Sequence, residues 1–268
     1  MKSITLLSFG LTLLGVASAH MKMIEPPSIN SEEGNYDVSI RDYNQMANIL
    51  PDGSNFPCRG HHLSTADMIP RRTYIAGQQY SFKVVDSPDA PEAGQGNHGG
   101  GSCQFSLSYD NGKTFKVIKS IMGGCTAVDR NLQNQEEALG PKGFPAWVNH
   151  FTIPASAPAA NNVIFSWSWI SFNGIQEFYQ NCARVEIQNP APQGDFYSLP
   201  NMFIANIAHD GLPRQCVPKL DTGKSWVVYP EPGNVIEYGF NRVDRHTEQP
   251  YADGDIKTTA AAVLGQCV

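Results

Sequence analysis

The residue that directly follows a cleavage signal near the start of the chain is a histidine. Ala17-Ser18-Ala19 has the small residues at which a signal peptidase cuts, and His20 comes next. Cleavage would turn the amide nitrogen of His20 into a free amine with a pKa near ~8, which a metal deprotonates easily at neutral pH. The amine and imidazole of His20 could then chelate one metal ion. The alternative is that a histidine stands here by chance.

A second histidine, His98, has the context of a further metal ligand. It is flanked by glycines in the run 96–101, and these allow the backbone to approach a metal closely. The alternative is a solvated histidine in a glycine loop. His61 and His62 compete for this role, but neighbouring residues on a strand point in opposite directions. We therefore predict His20 and His98 as the ligands. The other histidines are expected to be surface or structural residues: His150, His209 and His246.

Three nitrogen donors in one plane favour copper(II), which also has the highest affinity of the divalent series for such ligands. Tyr179 and Glu177 are candidates for the same centre. They stand two residues apart, so on a strand their side chains share a face. Tyr179 could occupy the axial position of the copper, with Glu177 beside it. The alternatives are an ordinary core tyrosine and a carboxylate at the rim of the domain.

The start of the chain and the composition indicate an exported protein. Lys2 precedes an apolar run, Ile4 to Val16, that is too short to span a bilayer, so residues 1–19 are predicted to be a signal peptide. A net charge of −6 offers no basic surface for nucleic acid, and no other apolar stretch has the length of a membrane span. Six cysteines predict three disulfides, whose pairing the spacing leaves open.

Short strands between glycines and prolines predict an all-β fold, an antiparallel β-sandwich. Strands are expected at Gln79–Val85, around the alternating run 163–169, and at Glu177–Ile187.

The Pro- and Gly-rich segment 189–194 predicts a domain edge. Residues 20–190 would form the sandwich, and residues 191–268 a C-terminal extension that either packs on the core or is loosely ordered.

The clearest hairpin lies between Cys103 and Ile118. A two-residue Asn-Gly turn would pair Leu107 with Lys116, whereas a three-residue loop, Asp110-Asn111-Gly112, would pair Leu107 with Phe115. Matching apolar residues across the strands predicts the three-residue loop, with its glycine in the left-handed conformation.

Several short fragments occur in a fixed order along the chain. They are the mature N-terminal His20-Met21, Phe56-Pro57-Cys58, the segment from His98 to Gln104, Lys116 to Ser120, Gly123 to Cys125, Trp167 to Trp169, and Glu177 to Ala183. Taken in order, they resemble the fungal lytic polysaccharide monooxygenases of auxiliary activity family eleven. The similarity runs from His20 to about Ile187. It departs from the family pattern at Ile175-Gln176, where members usually carry Asn-Arg, and at Gly96, where alanine is usual.

The resemblance implies an immunoglobulin-like sandwich with copper held by the His20 amine, the His20 ring and the His98 ring. It implies Tyr179 as the axial group and Glu177 as a carboxylate next to the ligands. The disulfides that the resemblance implies are Cys58 with Cys182 and Cys103 with Cys125, which leaves Cys216 to pair with Cys267.

The activity that the resemblance implies is oxidative cleavage of glycosidic bonds in an insoluble polysaccharide. Chitin is the substrate that the family suggests. An external electron donor and dioxygen or hydrogen peroxide would be the co-reactants, and oxygen would be inserted at sugar C1 or C4. We expect a secreted, extracellular monomer. The alternatives are an extracellular copper-binding protein for uptake or storage, a cell-wall polysaccharide-binding protein, and a hydrolase with paired carboxylates.

Overall fold

The computed structural model describes residues 21–86, 100–126, 146–171, 177–210 and 227–238. Three short 3-10 helices lie within these ranges, at Val38–Ile40, Cys58–Leu63 and Phe196–Ser198. None of the helices in the described ranges has the length and apolar character of a membrane span. The strands are β1 (Met21–Glu25), β2 (Arg72–Ile75), β3 (Gln79–Asp86), β4 (Gly101–Ser108), β5 (Lys116–Met122), β6 (Ala146–Thr152), β7 (Ala160–Ser171), β8 (Tyr179–Gln188) and β9 (Ile236–Tyr238).

The strands form two packed sheets. One has three strands in the order β1-β3-β6, and the other has six in the order β2-β8-β7-β4-β5-β9. Every pairing between neighbouring strands is antiparallel except β2 with β8 and β5 with β9, which are parallel. The predicted all-β sandwich is therefore confirmed, with parallel pairs at the two edges of the larger sheet.

An inner core fills the space between the two sheets. Phe82 of β3 packs against Phe105 of β4 with ring centroids 4.4 Å apart, and Trp167 stacks on Trp169 at 6.0 Å. The alternating residues of β7 all belong to this core, as their period of two predicts. They are Val163, Phe165, Trp167 and Trp169.

An outer core covers the opposite face of the six-stranded sheet. Ile164 and Phe178 of that face pack with Ile49 of the N-terminal loop and with Met202 and Tyr229 of the C-terminal region. Strand β4 is consequently buried along its whole length. In its described part, the predicted extension thus packs on the sandwich rather than being loosely ordered. Its assignment as a unit separate from residues 20–190 stays a prediction.

Polar residues on the outer face of the sheet are satisfied by the loops that cover them. The Ser102 hydroxyl donates to the Val227 carbonyl at 2.6 Å, and the Gln180 amide oxygen accepts from the Cys58 backbone at 2.8 Å. Buried polar groups need such partners, since an unpaired one costs about 1–3 kcal/mol. The hydrogen bonds therefore fix which loop lies over which strand.

The predicted register of the β4–β5 hairpin was wrong. Leu107 pairs with Lys116, and an irregularity follows between Phe105 and Ser106. The prediction requires Leu107 and Phe115 to share one face, but Leu107 packs in the inner core and Phe115 in the outer core. With both faces buried, matching apolar residues does not determine the register. Gly112 does adopt a positive φ, 87°, and Asn111 has φ 57°.

Two disulfides lie in the described residues, Cys58–Cys182 and Cys103–Cys125. Both match the pairs implied by the family resemblance. The first joins the segment before β2 to β8, and the second joins β4 to the turn that follows β5. The implied pair of Cys216 and Cys267 lies outside the described residues.

Asn181 connects the two sheets at the inner core. Its side-chain oxygen accepts a hydrogen bond from the Met23 backbone at 2.8 Å, and its side-chain nitrogen donates to the Gln45 carbonyl at 2.8 Å. The side chain is almost completely buried. One amide thus ties β8 both to β1 and to the loop that precedes β2.

Replacing Asn181 by alanine should lower the free energy of unfolding by about 2–3 kcal/mol, because two buried backbone groups lose their partner. Equilibrium denaturation in urea measures this loss. The matched control is Asn44→Ala, at an exposed asparagine, which should change stability by less than about 0.5 kcal/mol. Equal stability of the two variants would show that Asn181 does not hold β1 in place.

Candidate metal centre

The candidate centre lies at the end of the six-stranded sheet where β8 begins. Gly101, the first residue of β4, pairs with Ser171, the last residue of β7. Two residues further in, Trp169 of β7 pairs with Tyr179, the first residue of β8. The starts of β4 and β8 therefore meet at one end of the sheet.

His20 and His98 lie outside the described residues, so only their neighbours in the chain can be placed. Met21 follows His20, pairs with Asp86 at the end of β3, and packs in the same inner core as Tyr179. The chain leaves β3 after Asp86, passes through His98 and returns at the glycines that begin β4. These neighbours are compatible with two histidines close to Tyr179. Convergence of their rings stays a prediction.

The structure brings Tyr179 and Glu177 into direct contact. The Tyr179 hydroxyl donates a hydrogen bond to the Glu177 carboxylate at 2.6 Å, and the tyrosine ring packs on Trp169 with centroids 4.8 Å apart. Burial raises the pKa of Tyr179 far above its ordinary value, and the Glu177 carboxylate raises it further. The phenol is therefore neutral at physiological pH. Glu177 itself is partly exposed.

The rival histidines have other environments. His61 is held through both ring nitrogens, with Nε2 at 2.8 Å from the Asp42 carboxylate and Nδ1 at 3.3 Å from the Asn30 amide. A ring engaged in this way has no lone pair left for a metal. His62 is buried, and burial lowers its pKa. His150 is exposed on β6, as expected for a surface residue, and His246 lies outside the described residues.

Asp42 is a structural anchor that the sequence analysis did not single out. Its carboxylate contacts His61, accepts from Arg59 Nε at 3.2 Å, and accepts from the backbone of Asn44 at 2.7 Å. Burial alone would raise its pKa, but the hydrogen bonds and the Arg59 charge outweigh this effect and lower the pKa to about 2. No motif links residues so far apart in sequence, so only the folded chain could reveal the cluster.

The Asp42 cluster holds a loop beside the start of β8. Tyr43 follows Asp42 and is 74% exposed, while Gln45 is buried and donates to the Ile29 carbonyl at 2.9 Å. Ile49 then donates its backbone N–H to the Phe178 carbonyl at 2.7 Å. The loop consequently lies against the start of β8 and exposes the aromatic side chain of Tyr43 to solvent.

No cluster of three or more histidine, cysteine, aspartate or glutamate side chains suited to a metal occurs within the described ranges.

No family model matches the chain. Comparison with characterised proteins nevertheless defines its class: its relatives are lytic polysaccharide monooxygenases. The chain is 35% identical over 206 residues to "AA11 family lytic polysaccharide monooxygenase A" of Aspergillus fumigatus, covering 75% of this chain and 80% of that protein.

Two longer relatives carry the same family designation. "AA11 family lytic polysaccharide monooxygenase B" of Aspergillus fumigatus is 29% identical over 249 residues, with 85% of this chain and 52% of that protein covered. The enzyme of Aspergillus oryzae is 28% identical over 244 residues, with 84% and 50% covered. This chain thus spans about half the length of these two relatives. It belongs to the AA11 family of lytic polysaccharide monooxygenases, which are copper-dependent oxidoreductases.

Solved structures resemble the chain more loosely. A cellulose-active polysaccharide monooxygenase from M. thermophila aligns with 82% of this chain and 97% of its own, at 8% identity and a TM-score of 0.36. A chitin binding domain from Burkholderia pseudomallei aligns with 63% of this chain and 99% of its own, at 13% identity and a TM-score of 0.35. The family assignment rests on the sequence relatives.

The lowered pKa of Asp42 predicts an acid-dependent contribution to stability. Because the folded pKa of about 2 is below the ordinary 3.8, the stabilisation is present above pH 4 and is lost as the pH falls towards 2. Asp42→Asn should therefore cost about 2 kcal/mol at pH 5, and the difference from the unmodified protein should shrink towards pH 2.

Urea denaturation between pH 2 and pH 6 measures this dependence. Glu231→Gln, at an exposed carboxylate, is the control. A difference between Asp42→Asn and the unmodified protein that stays constant with pH would mean that the carboxylate charge does not stabilise the loop.

Proposed function

We propose that this chain is a secreted monooxygenase that oxidatively cleaves glycosidic bonds in chitin. The proposal assigns the copper to the amine and imidazole of His20 and to the imidazole of His98. The observation that carries it is the contact between Tyr179 and Glu177 at the start of β8, in a chain that belongs to the AA11 family. The two disulfides support secretion, because such bonds persist in oxidising compartments.

The donor set suits copper. One amine and two imidazoles are neutral nitrogen ligands, which copper(II) prefers in a planar arrangement. Bound copper would supply one-electron redox chemistry with dioxygen or hydrogen peroxide. His20 immediately precedes Met21, and the Asn181 amide holds the strand that Met21 begins against β8. This tether supports a first ligand close to Tyr179.

Tyr179 would present a neutral oxygen to the centre. Its hydroxyl proton is donated to Glu177, and burial disfavours the phenolate. A neutral phenol is a much weaker ligand than a phenolate. Tyr179 would thus fill one side of the site without blocking coordination by a co-substrate. Packing on Trp169 keeps the ring in this orientation.

Glu177 would handle protons. Hydroxylation of a C–H bond by dioxygen consumes two electrons and two protons and releases one water, whereas hydrogen peroxide brings its own electrons and protons. Glu177 is partly exposed, so it can exchange protons with solvent, and the Asn206 amide donates to its backbone carbonyl at 3.1 Å. The hydrogen bond from the Tyr179 hydroxyl orients the carboxylate, which could accept or deliver a proton during hydroxylation.

His98→Ala should abolish tight copper binding, because one of three nitrogen donors is lost. Isothermal titration of the mature protein with copper(II), together with its electron paramagnetic resonance spectrum, measures the change. An affinity loss of at least about 100-fold is expected. His150→Ala, at an exposed histidine, is the control and should bind copper like the unmodified protein. Unchanged affinity in His98→Ala would remove this residue from the site.

Glu177→Gln should keep copper binding but lower product formation by about 100-fold, since glutamine can accept the Tyr179 hydrogen bond but cannot carry a proton. Mass spectrometry of oxidised oligosaccharides from chitin, with ascorbate as reductant, measures the products, and cellulose serves as a parallel substrate. Glu186→Gln, at a partly exposed carboxylate near the far end of β8, is the control. Copper binding without oxidised products from either polymer would favour a storage protein instead.

A further inference from the structure

A cavity of about 570 Å³ opens on the outer-core side of the six-stranded sheet. Pockets of this size hold small organic ligands. The tip of the β4–β5 hairpin, the Phe56–His62 segment and the region after β8 form its walls. The side chains that matter for its chemistry are Phe56, His62, Thr114, Asn201, His209 and Asp210. The function proposed above uses none of them.

The imidazoles of His62 and His209 line the cavity. Their Nδ1 atoms are buried and have no hydrogen-bond partner among the described residues, so a ligand in the cavity would meet the other ring nitrogen, Nε2. His62 is only 8% exposed, so water does not readily compensate for the missing bond. Burial lowers the pKa of His62, which makes its ring neutral near pH 7. A neutral imidazole can both donate and accept a hydrogen bond.

The remaining wall combines an aromatic ring with polar groups of balanced charge. Phe56 lies edge-on to His209, with ring centroids 6.3 Å apart. Lys113 and Asp210 add one positive and one negative charge at the rim, and Thr114 and Asn201 add uncharged polar groups. This balance favours a neutral ligand that has hydroxyl or amide groups and an apolar face.

The cavity is preformed rather than dependent on a ligand. A Cβ atom at Gly112 would lie 3.1 Å from both the His62 ring and the Pro57 ring, so the hairpin tip packs closely against the second wall. The Cys58–Cys182 disulfide anchors that wall to β8. The third wall is held by the backbone N–H of Ala208, which donates to the Pro51 carbonyl at 2.9 Å.

The cavity is separate from the candidate metal centre. Phe56 packs against Phe178, with ring centroids 6.2 Å apart, and Phe178 belongs to the outer core. Tyr179, the next residue, belongs to the inner core. Successive residues of a strand point to opposite faces, so a ligand in the cavity would not compete with a substrate at Tyr179.

We propose that this cavity is a second binding site, which takes a neutral saccharide of one or two sugar units. The aromatic ring of Phe56 suits the apolar face of a sugar, while the imidazoles, Thr114 and Asn201 suit its hydroxyl or acetamido groups. The inference depends on the proposed function only for the choice of sugars. It requires no copper.

The test is titration of the copper-free mature protein with N,N′-diacetylchitobiose and, in parallel, with cellobiose, monitored by isothermal calorimetry and by histidine-ring NMR signals. Saturable binding of at least one sugar is expected. His209→Phe keeps the ring contact with Phe56 but removes the nitrogens, so it should weaken binding at least about tenfold. His62→Phe applies the same test to the other imidazole. The matched control is His150→Phe, at an exposed histidine outside the cavity.

Two results would overturn the proposal. One is the absence of saturable binding for both sugars. The other is equal affinity in His209→Phe, His62→Phe and the control. Unfolding midpoints identify a variant that fails to fold, and the second imidazole variant then decides. Because copper is absent, failure here leaves the proposed oxidation chemistry intact, and failure of that chemistry leaves this test valid.

Discussion

The hydrogen bonds of the buried Asn181 amide determine how β1 lies against the end of the six-stranded sheet where β8 begins. It accepts from the backbone of Met23 and donates to the backbone of Gln45, so one side chain fixes β1 and the following loop against β8. The same strand carries Tyr179 two residues earlier. This amide therefore fixes the position of the residue before Met21, and of any ligand it provides, relative to β8. Backbone pairing of β1 with β3 alone would not fix that position.

Burial of both faces of the six-stranded sheet positions the described segments before β2 and after β8. The inner face packs on the smaller sheet, and the outer face is covered by chain from before β2 and after β8. Serine and glutamine side chains on the outer face bind the backbone of these segments instead of water. The covering chain is thereby positioned by specific hydrogen bonds, which are directional, in addition to apolar contacts, which are not.

The two sides of the sheet at the start of β8 carry different functional groups. On the inner side, Tyr179 and Glu177 form a hydrogen-bonded pair that keeps the phenol neutral and leaves the carboxylate partly exposed. On the outer side, Phe178 supports the Phe56 wall of a cavity with two imidazoles. His61 shows the opposite use of a histidine, because both its nitrogens are engaged and it only anchors a loop. A histidine's role thus follows from its partners rather than from its residue type.

The sequence by itself determined the fold class, the family, and the strands at Gln79–Val85 and along β7. Alternation and ordered motifs are local properties of the chain, so they can be recognised without the tertiary structure. It could not determine the hairpin register, since matching apolar residues assumes that one face is buried, and here both are. The Asp42 cluster and the two-imidazole cavity also required the tertiary structure. Their members are far apart in sequence, and only long-range packing brings their hydrogen-bonding groups together.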